Sequence, residues 1–192
     1  MTNDTALLVM DVQRQITARF PGTEEYLGRI AQAVGAARDS GVPVVYVVVG
    51  FRPGFPEVSA RNLTFSRLAA PGADGPGLDA EGSQVDPAVA PRDGEVVVTK
   101  RRVSAFAGSD LDVVLRAMEV RHLVLTGIAT SGVVLSTLRQ AADLDFQLTV
   151  LSDGCLDADP EVHRVLTEKV FPRQAEIRTV EEWAKQQRAA AV

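Results

Sequence analysis

The chain has 192 residues, 46% of them hydrophobic and 23% charged, the usage of one soluble globular domain, here 1–192, with a core of its own. Its formal net charge is −5, and it has no basic stripe interleaved with aromatics, which argues against a nucleic-acid partner. The single cysteine, Cys155, excludes an internal disulfide, and no run reaches the ~18 apolar residues of a membrane span.

The opening MTNDTALLVMDVQ has neither the basic segment nor the long apolar core of a signal peptide, so a cytoplasmic location and no membrane partner are expected. Ala6–Met10 is a continuous apolar run, the pattern of a strand buried on both faces. It ends at Asp11, followed by Val12 and Gln13. A carboxylate at the end of a buried strand is costly unless it is paired or used, which makes Asp11 a candidate general acid or base; capping the next turn is its structural alternative. Tyr26–Asp39 places Leu27, Ile30, Ala33, Val34 and Ala37 at helical spacing and stops at Ser40–Gly41. Val42–Val49 predicts a second buried strand.

From Gly50 to Gly94 the chain turns rich in proline and glycine. So long a loop is functional or partly disordered, and its Phe51, Arg52, Phe55, Arg61, Asn62, Phe65 and Arg67 are candidates for pocket lining. Glu95–Thr99 predicts a third strand, with Lys100, Arg101 and Arg102 directly after it. A cation there can tune a neighbouring carboxylate and hold substrate. Asp110–Met118 has a helical period, with Ser109 as a candidate N-cap.

His122–Arg139 organises the rest. Leu123–Leu125 reads as a buried strand, Gly127–Gly132 as a tight turn, and Val133–Arg139 as a helix. In an open α/β sheet the site lies beyond the carboxyl end of such a strand, where backbone N–H groups can hold an anion or a developing oxyanion. Gln147–Ser152 predicts a further strand, Asp153–Asp159 a turn, and Pro160 the start of a helix to about Val170. Its His163 reads as a structural histidine, and Cys155 as a structural thiol. A last strand at Ala175–Thr179 and a helix at Val180–Ala189 close the chain.

Four segments carry a resemblance: LLVMDVQ at 7–13, KRRVSAF at 100–106, GIATSGVVLSTLR at 127–139 and LSDGCLDADPEVH at 151–163. In order and spacing the chain resembles the isochorismatase-like, or cysteine hydrolase, family, which includes nicotinamidases, N-carbamoylsarcosine amidases and isochorismatases. The resemblance implies a three-layer α/β/α domain with a mostly parallel sheet. It also implies a site of an Asp after the first strand, a Lys after the third and a Cys opening the central helix. Asp11 and Lys100 match the first two. The family pattern G-[IV]-A-T-x-x-C puts the thiol at position 133, where this chain has Val133.

A cis peptide between Ile128 and Ala129 is implied as well. Amide hydrolysis in the family passes through a thioester, which valine cannot form. Isochorismatases also lack the cysteine and cleave an activated vinyl ether, with the Asp as general acid. The expectation is therefore a hydrolase without a cysteine nucleophile. Asp11 acts as general acid or base with Lys100 setting its pKa, backbone amides near Ala129 and Val133 hold negative charge, and Gln13, Phe106, Ile128, Ala129, Thr130, Ser131 and Gly132 contact a small-molecule substrate. Thr130 and Ser131 are hydroxyls with no evident base. The histidines that metal-binding members carry near positions 50–70 are missing, so neither metal nor cofactor is expected. A homodimer or homotetramer is implied. The rival expectation is a catalytically inactive family member that binds a small molecule.

Overall fold

In the computed structural model, residues 4–20, 22–69 and 83–190 are described. Six strands form one parallel sheet in the order β3-β2-β1-β4-β5-β6. In chain order the elements are β1 (Thr5–Met10), α1 (Arg14–Thr17), α2 (Thr23–Asp39), β2 (Val44–Val49), α3 (Leu63–Leu68), β3 (Val96–Lys100), α4 (Leu111–Ala117), β4 (His122–Ile128), α5 (Leu135–Asp143), β5 (Gln147–Leu156), α6 (Pro160–Val165), β6 (Glu176–Arg178) and α7 (Val180–Ala190).

The apolar runs read from the sequence become strands because both faces of the sheet are covered. Alternate residues of β1 feed opposite layers. Leu8 and Met10 pack with Leu115, Leu138 and Phe171, whereas Leu7 and Val9 pack with Ile30, Val34 and Trp183. This is the α/β/α arrangement with a parallel sheet.

Several boundaries move for physical reasons. β2 starts at Val44 rather than Val42, because Pro43 lacks an N–H for the ladder. The N-cap of α4 is Asp110 rather than Ser109, because the helix starts at Leu111; the Ser109 hydroxyl accepts from Leu111 N at 3.3 Å from one residue further out. The expected turn from Asp153 is corrected. β5 runs on to Leu156, and its register against β4 slips between Leu125 and Gly127 so that Gly127 pairs with Cys155. Asp153 is tolerated there because its carboxylate accepts from Val180 N at 2.7 Å and pairs with Arg29 at 2.7 Å. The helix expected from Val133 begins instead with a π turn at Thr130–Val134 before α5. The long loop contains α3 and a 3₁₀ turn at Pro87–Val89; residues 70–82 of it lie outside the described residues.

Gly127 is held at φ +151°, and a Cβ there would sit 2.4 Å from the carbonyl oxygen of Met10. Only glycine lets β1 and β4 approach this closely. Gly127→Ala is expected to cost about 2–4 kcal/mol, read as a Tm lowered by about 4–16 °C in a thermal melt.

Candidate functional site

β1 and β4 are neighbours at the centre of the sheet, with β2 and β3 on one side and β5 and β6 on the other. This is the point where the strand order reverses, and ligands of open α/β sheets bind beyond the carboxyl ends of such strands. The register fixes what meets there. Met10 pairs with Gly127, so Asp11 leaves β1 beside Ile128 leaving β4. Val49 pairs with Lys100 at the end of β3.

Asp11 and Lys100 form a buried ion pair, Nζ to Oδ2 at 2.9 Å, with side chains 9% and 3% exposed. Lys100 Nζ also donates to the carbonyl of Arg102 at 3.0 Å. The backbone of Asp11 is left-handed, φ 57°, a conformation Asp tolerates better than bulkier residues. Its Oδ1 is buried and has no hydrogen-bond partner among the described residues. Burial pushes the Asp11 carboxyl up to about 6, against the opposing pull of the Lys100 ammonium. A carboxyl titrating there can carry a proton in either direction near neutral pH.

The remaining site candidates fall into distinct roles. Gln13 clamps backbone: its Oε1 accepts from Val49 N at 2.8 Å, and its Nε2 donates to Val49 O at 3.1 Å and Ser83 O at 2.8 Å. Phe106 is buried in the core, its ring 6.0 Å from that of Phe146. The Ile128–Ala129 peptide is cis.

The π turn that follows is pinned from outside. Thr130 Oγ1 and His163 Nδ1 are 2.8 Å apart, Ser131 N donates to Asp157 Oδ2 at 2.7 Å, and Gly132 N donates to Ala129 O at 3.0 Å. The amides of Ser131 and Gly132 are therefore engaged within the protein. Val133 is 2% exposed and belongs to the core layer that holds Ala105 and Phe106. The tie between His163 and Thr130, 33 residues apart, had no signal in the sequence beyond a lone histidine on a helix. Burial also pulls the His163 imidazole below its ordinary value, which favours the neutral ring.

Cys155 does not replace a site thiol. It is buried, its Sγ reaches Leu125 O at 4.0 Å, and burial pushes its thiol up to about 12. It is expected to resist iodoacetamide in native protein at pH 8 and to alkylate on unfolding, which mass spectrometry reads directly. Among the described residues, no group of three or more His, Cys, Asp or Glu side chains converges to hold a metal ion. No helix among them is long and apolar enough to cross a membrane.

The family profile of the Isochorismatase domain matches residues 5–182. The chain belongs to the isochorismatase family. It is 34% identical over 181 residues to the isochorismatase family protein YecD of Escherichia coli O157:H7, covering 93% of each chain. It is 34% identical to the ureidoacrylate amidohydrolase RutB of Stutzerimonas stutzeri, covering 83% of this chain and 72% of that one. Among solved structures, an isochorismatase family protein of Burkholderia thailandensis superposes with a TM-score of 0.81 at 29% identity, covering 96% and 97% of the two chains. The N-carbamoylsarcosine amidase of Thermoplasma acidophilum superposes with a TM-score of 0.74 at 26% identity, covering 92% and 96%. RutB and the N-carbamoylsarcosine amidase are hydrolases, and this chain is a hydrolase of the same family.

Proposed function

We propose that this isochorismatase-family hydrolase cleaves an activated C–O bond of a small molecule, with Asp11 as proton carrier and no covalent enzyme intermediate. The observation that carries the reading is the buried Asp11–Lys100 pair at the strand-order reversal, with Val133 where the family pattern expects a thiol.

For a vinyl ether the balance is as follows. Asp11 delivers its proton to the terminal alkene carbon, and the adjoining carbon becomes an oxocarbenium ion. Water adds to that carbon and returns a proton to the Asp11 carboxylate. The resulting hemiketal breaks its C–O bond and releases an alcohol and a ketone. Lys100 holds the carboxylate in place and lowers its proton affinity from the value that burial alone would set. Backbone amides near Ala129 and Val133 hold negative charge on the substrate.

The test is turnover of a panel of vinyl ethers, esters and amides. Vinyl ether hydrolysis that Asp11→Asn removes supports the reading. Equal inertness of wild type and Asp11→Asn on every compound rejects it.

Val133 also favours a second reading, a binder without catalysis. A compound that raises Tm and is recovered unchanged from wild type, with no turnover on the panel, supports that alternative. Val133→Cys bears on the placement of this position. A thiol at the site is expected to react with iodoacetamide faster than Cys155 at pH 8. Equal rates would remove position 133 from the site.

A further inference from the structure

We infer that His163 is a positioning residue for the reaction: from α6 it holds the Thr130 hydroxyl and so fixes the amides of the π turn at the site. The inference rests on that turn being the anion-holding wall proposed above, and it names what keeps the wall in shape.

The path from the reacting carboxylate to the imidazole is short. Asp11 leaves β1 beside Ile128, because Met10 pairs with Gly127. The cis peptide joins Ile128 to Ala129, and the π turn begins at the next residue, Thr130. Thr130 is fully buried, and its Oγ1 lies 2.8 Å from His163 Nδ1. Among the described residues this is the only hydrogen bond of that hydroxyl. The second tie comes from the same stretch of chain, where Asp157 Oδ2 accepts from Ser131 N at 2.7 Å. Residues 157–163 therefore grip two consecutive residues of the turn.

His163 is itself firmly placed. Asp159 caps α6 by accepting from Glu161 N at 2.9 Å and Val162 N at 3.3 Å, and Thr167 Oγ1 donates to the His163 carbonyl at 2.9 Å. The ring does not fill either apolar layer of the core. It borders a cavity of about 320 Å³ shared with Ser152, Asp153, Arg164 and Thr167. An imidazole half-removed from water is costly unless its nitrogen is bonded, and the bonded partner is the first residue of the turn. The π turn is a rare geometry whose close competitor is a regular α-helical start. Gly132 N and Val134 N both reach the Ala129 carbonyl, at 3.0 and 3.3 Å, and the outer grip on Thr130 and Ser131 selects this arrangement. Without His163 the turn relaxes, and the amides near Ala129 and Val133 move relative to Asp11. A displacement of about 1 Å at a reacting centre costs about 10²-fold in rate.

The experiment uses full-length protein and para-nitrophenyl vinyl ether, whose hydrolysis gives para-nitrophenol and acetaldehyde and is read by colour. His163→Phe keeps a ring and removes both nitrogens. It is expected to lower kcat by about 10²-fold with KM little changed. His163→Asn, whose amide can bond the Thr130 hydroxyl, is expected to recover most of the loss. Thr130→Val removes the same bond from the other end, and the double variant with His163→Phe is expected to be no slower than either single one. A histidine that only supports the fold would lower Tm and leave kcat of the folded enzyme at the wild-type value. That result overturns the inference, as does an Asn variant no better than Phe.

A second readout separates the two proposals. If wild type leaves the vinyl ether intact, the hydrolytic reading loses its support, and the role of His163 is read from Val133→Cys. Amide donors of the turn favour the thiolate, so the pH dependence of iodoacetamide alkylation reports where they lie. Adding His163→Phe is expected to raise the pKa of that thiol, and His163→Asn to restore it; an unchanged pKa overturns the inference. Turnover that is blind to His163 retains the hydrolytic reading and rejects the positioning role. Should His163→Phe fail to fold, Thr130→Val compared with Thr130→Ser carries the same comparison.

Discussion

Asp11→Asn is expected to lower kcat/KM on an activated vinyl ether by about 10²–10⁴-fold, the usual contribution of a positioned proton donor. The amide has nearly the shape of the carboxyl it replaces, so the far-UV circular dichroism spectrum is expected to stay unchanged. What the variant lacks is the transferable proton. The wild-type pH profile gives an independent reading. Burial holds Asp11 protonated up to about 6, so a mechanism that needs the acid form loses kcat/KM as pH rises through that value. A profile rising through about 6 would instead assign Asp11 the role of base, and a flat one would remove it from the chemistry.

Lys100→Met should be the most damaging single change to stability at alkaline pH. Removing one partner of a buried ion pair leaves the other charge uncompensated, at about 3–5 kcal/mol, or a Tm lowered by about 6–20 °C. The penalty depends on pH with a definite sign. The Asp11 carboxyl already titrates above its unfolded value, so the native state binds the proton more tightly and stability falls as pH rises toward about 6. Lys100 opposes that shift; without it the native carboxyl holds its proton to still higher pH, and the loss continues further up the scale. Denaturant melts at pH 5 and pH 8 check this. A variant equally destabilised at both values would contradict the electrostatic account, and any residual activity is expected to lose its acid form at higher pH than in wild type.

The strands were legible because a parallel sheet covered on both faces writes itself as continuous apolar runs, as in ALLVM and VPVVYVVV. The positions of Asp11 and Lys100 followed from those runs ending in charge. The π turn was not legible. Thr130–Val134 carries the same small and apolar residues as an ordinary helix start, and its irregularity comes from tertiary ties to His163 and Asp157. β5 reads as ending at Ser152 because Asp153 and Gly154 carry a turn pattern. Their polar groups find partners only across the fold, such as Arg29 on α2. The clamp made by Gln13 joins residues 36 and 70 positions away, a separation no local pattern reports. Glu57 likewise has no local signal in its loop, since the position of Arg101 beside it is set by the end of β3.

One consequence concerns the outermost position of β3 in the sheet. The ammonium is supplied by a border strand hydrogen-bonded to a neighbour on one flank only, whereas the carboxylate comes from the innermost ladder. Borders fray at lower free energy than centres. Mild urea should therefore detach Lys100 and silence the enzyme while most amide protons remain protected, so inactivation would precede the loss of the fold.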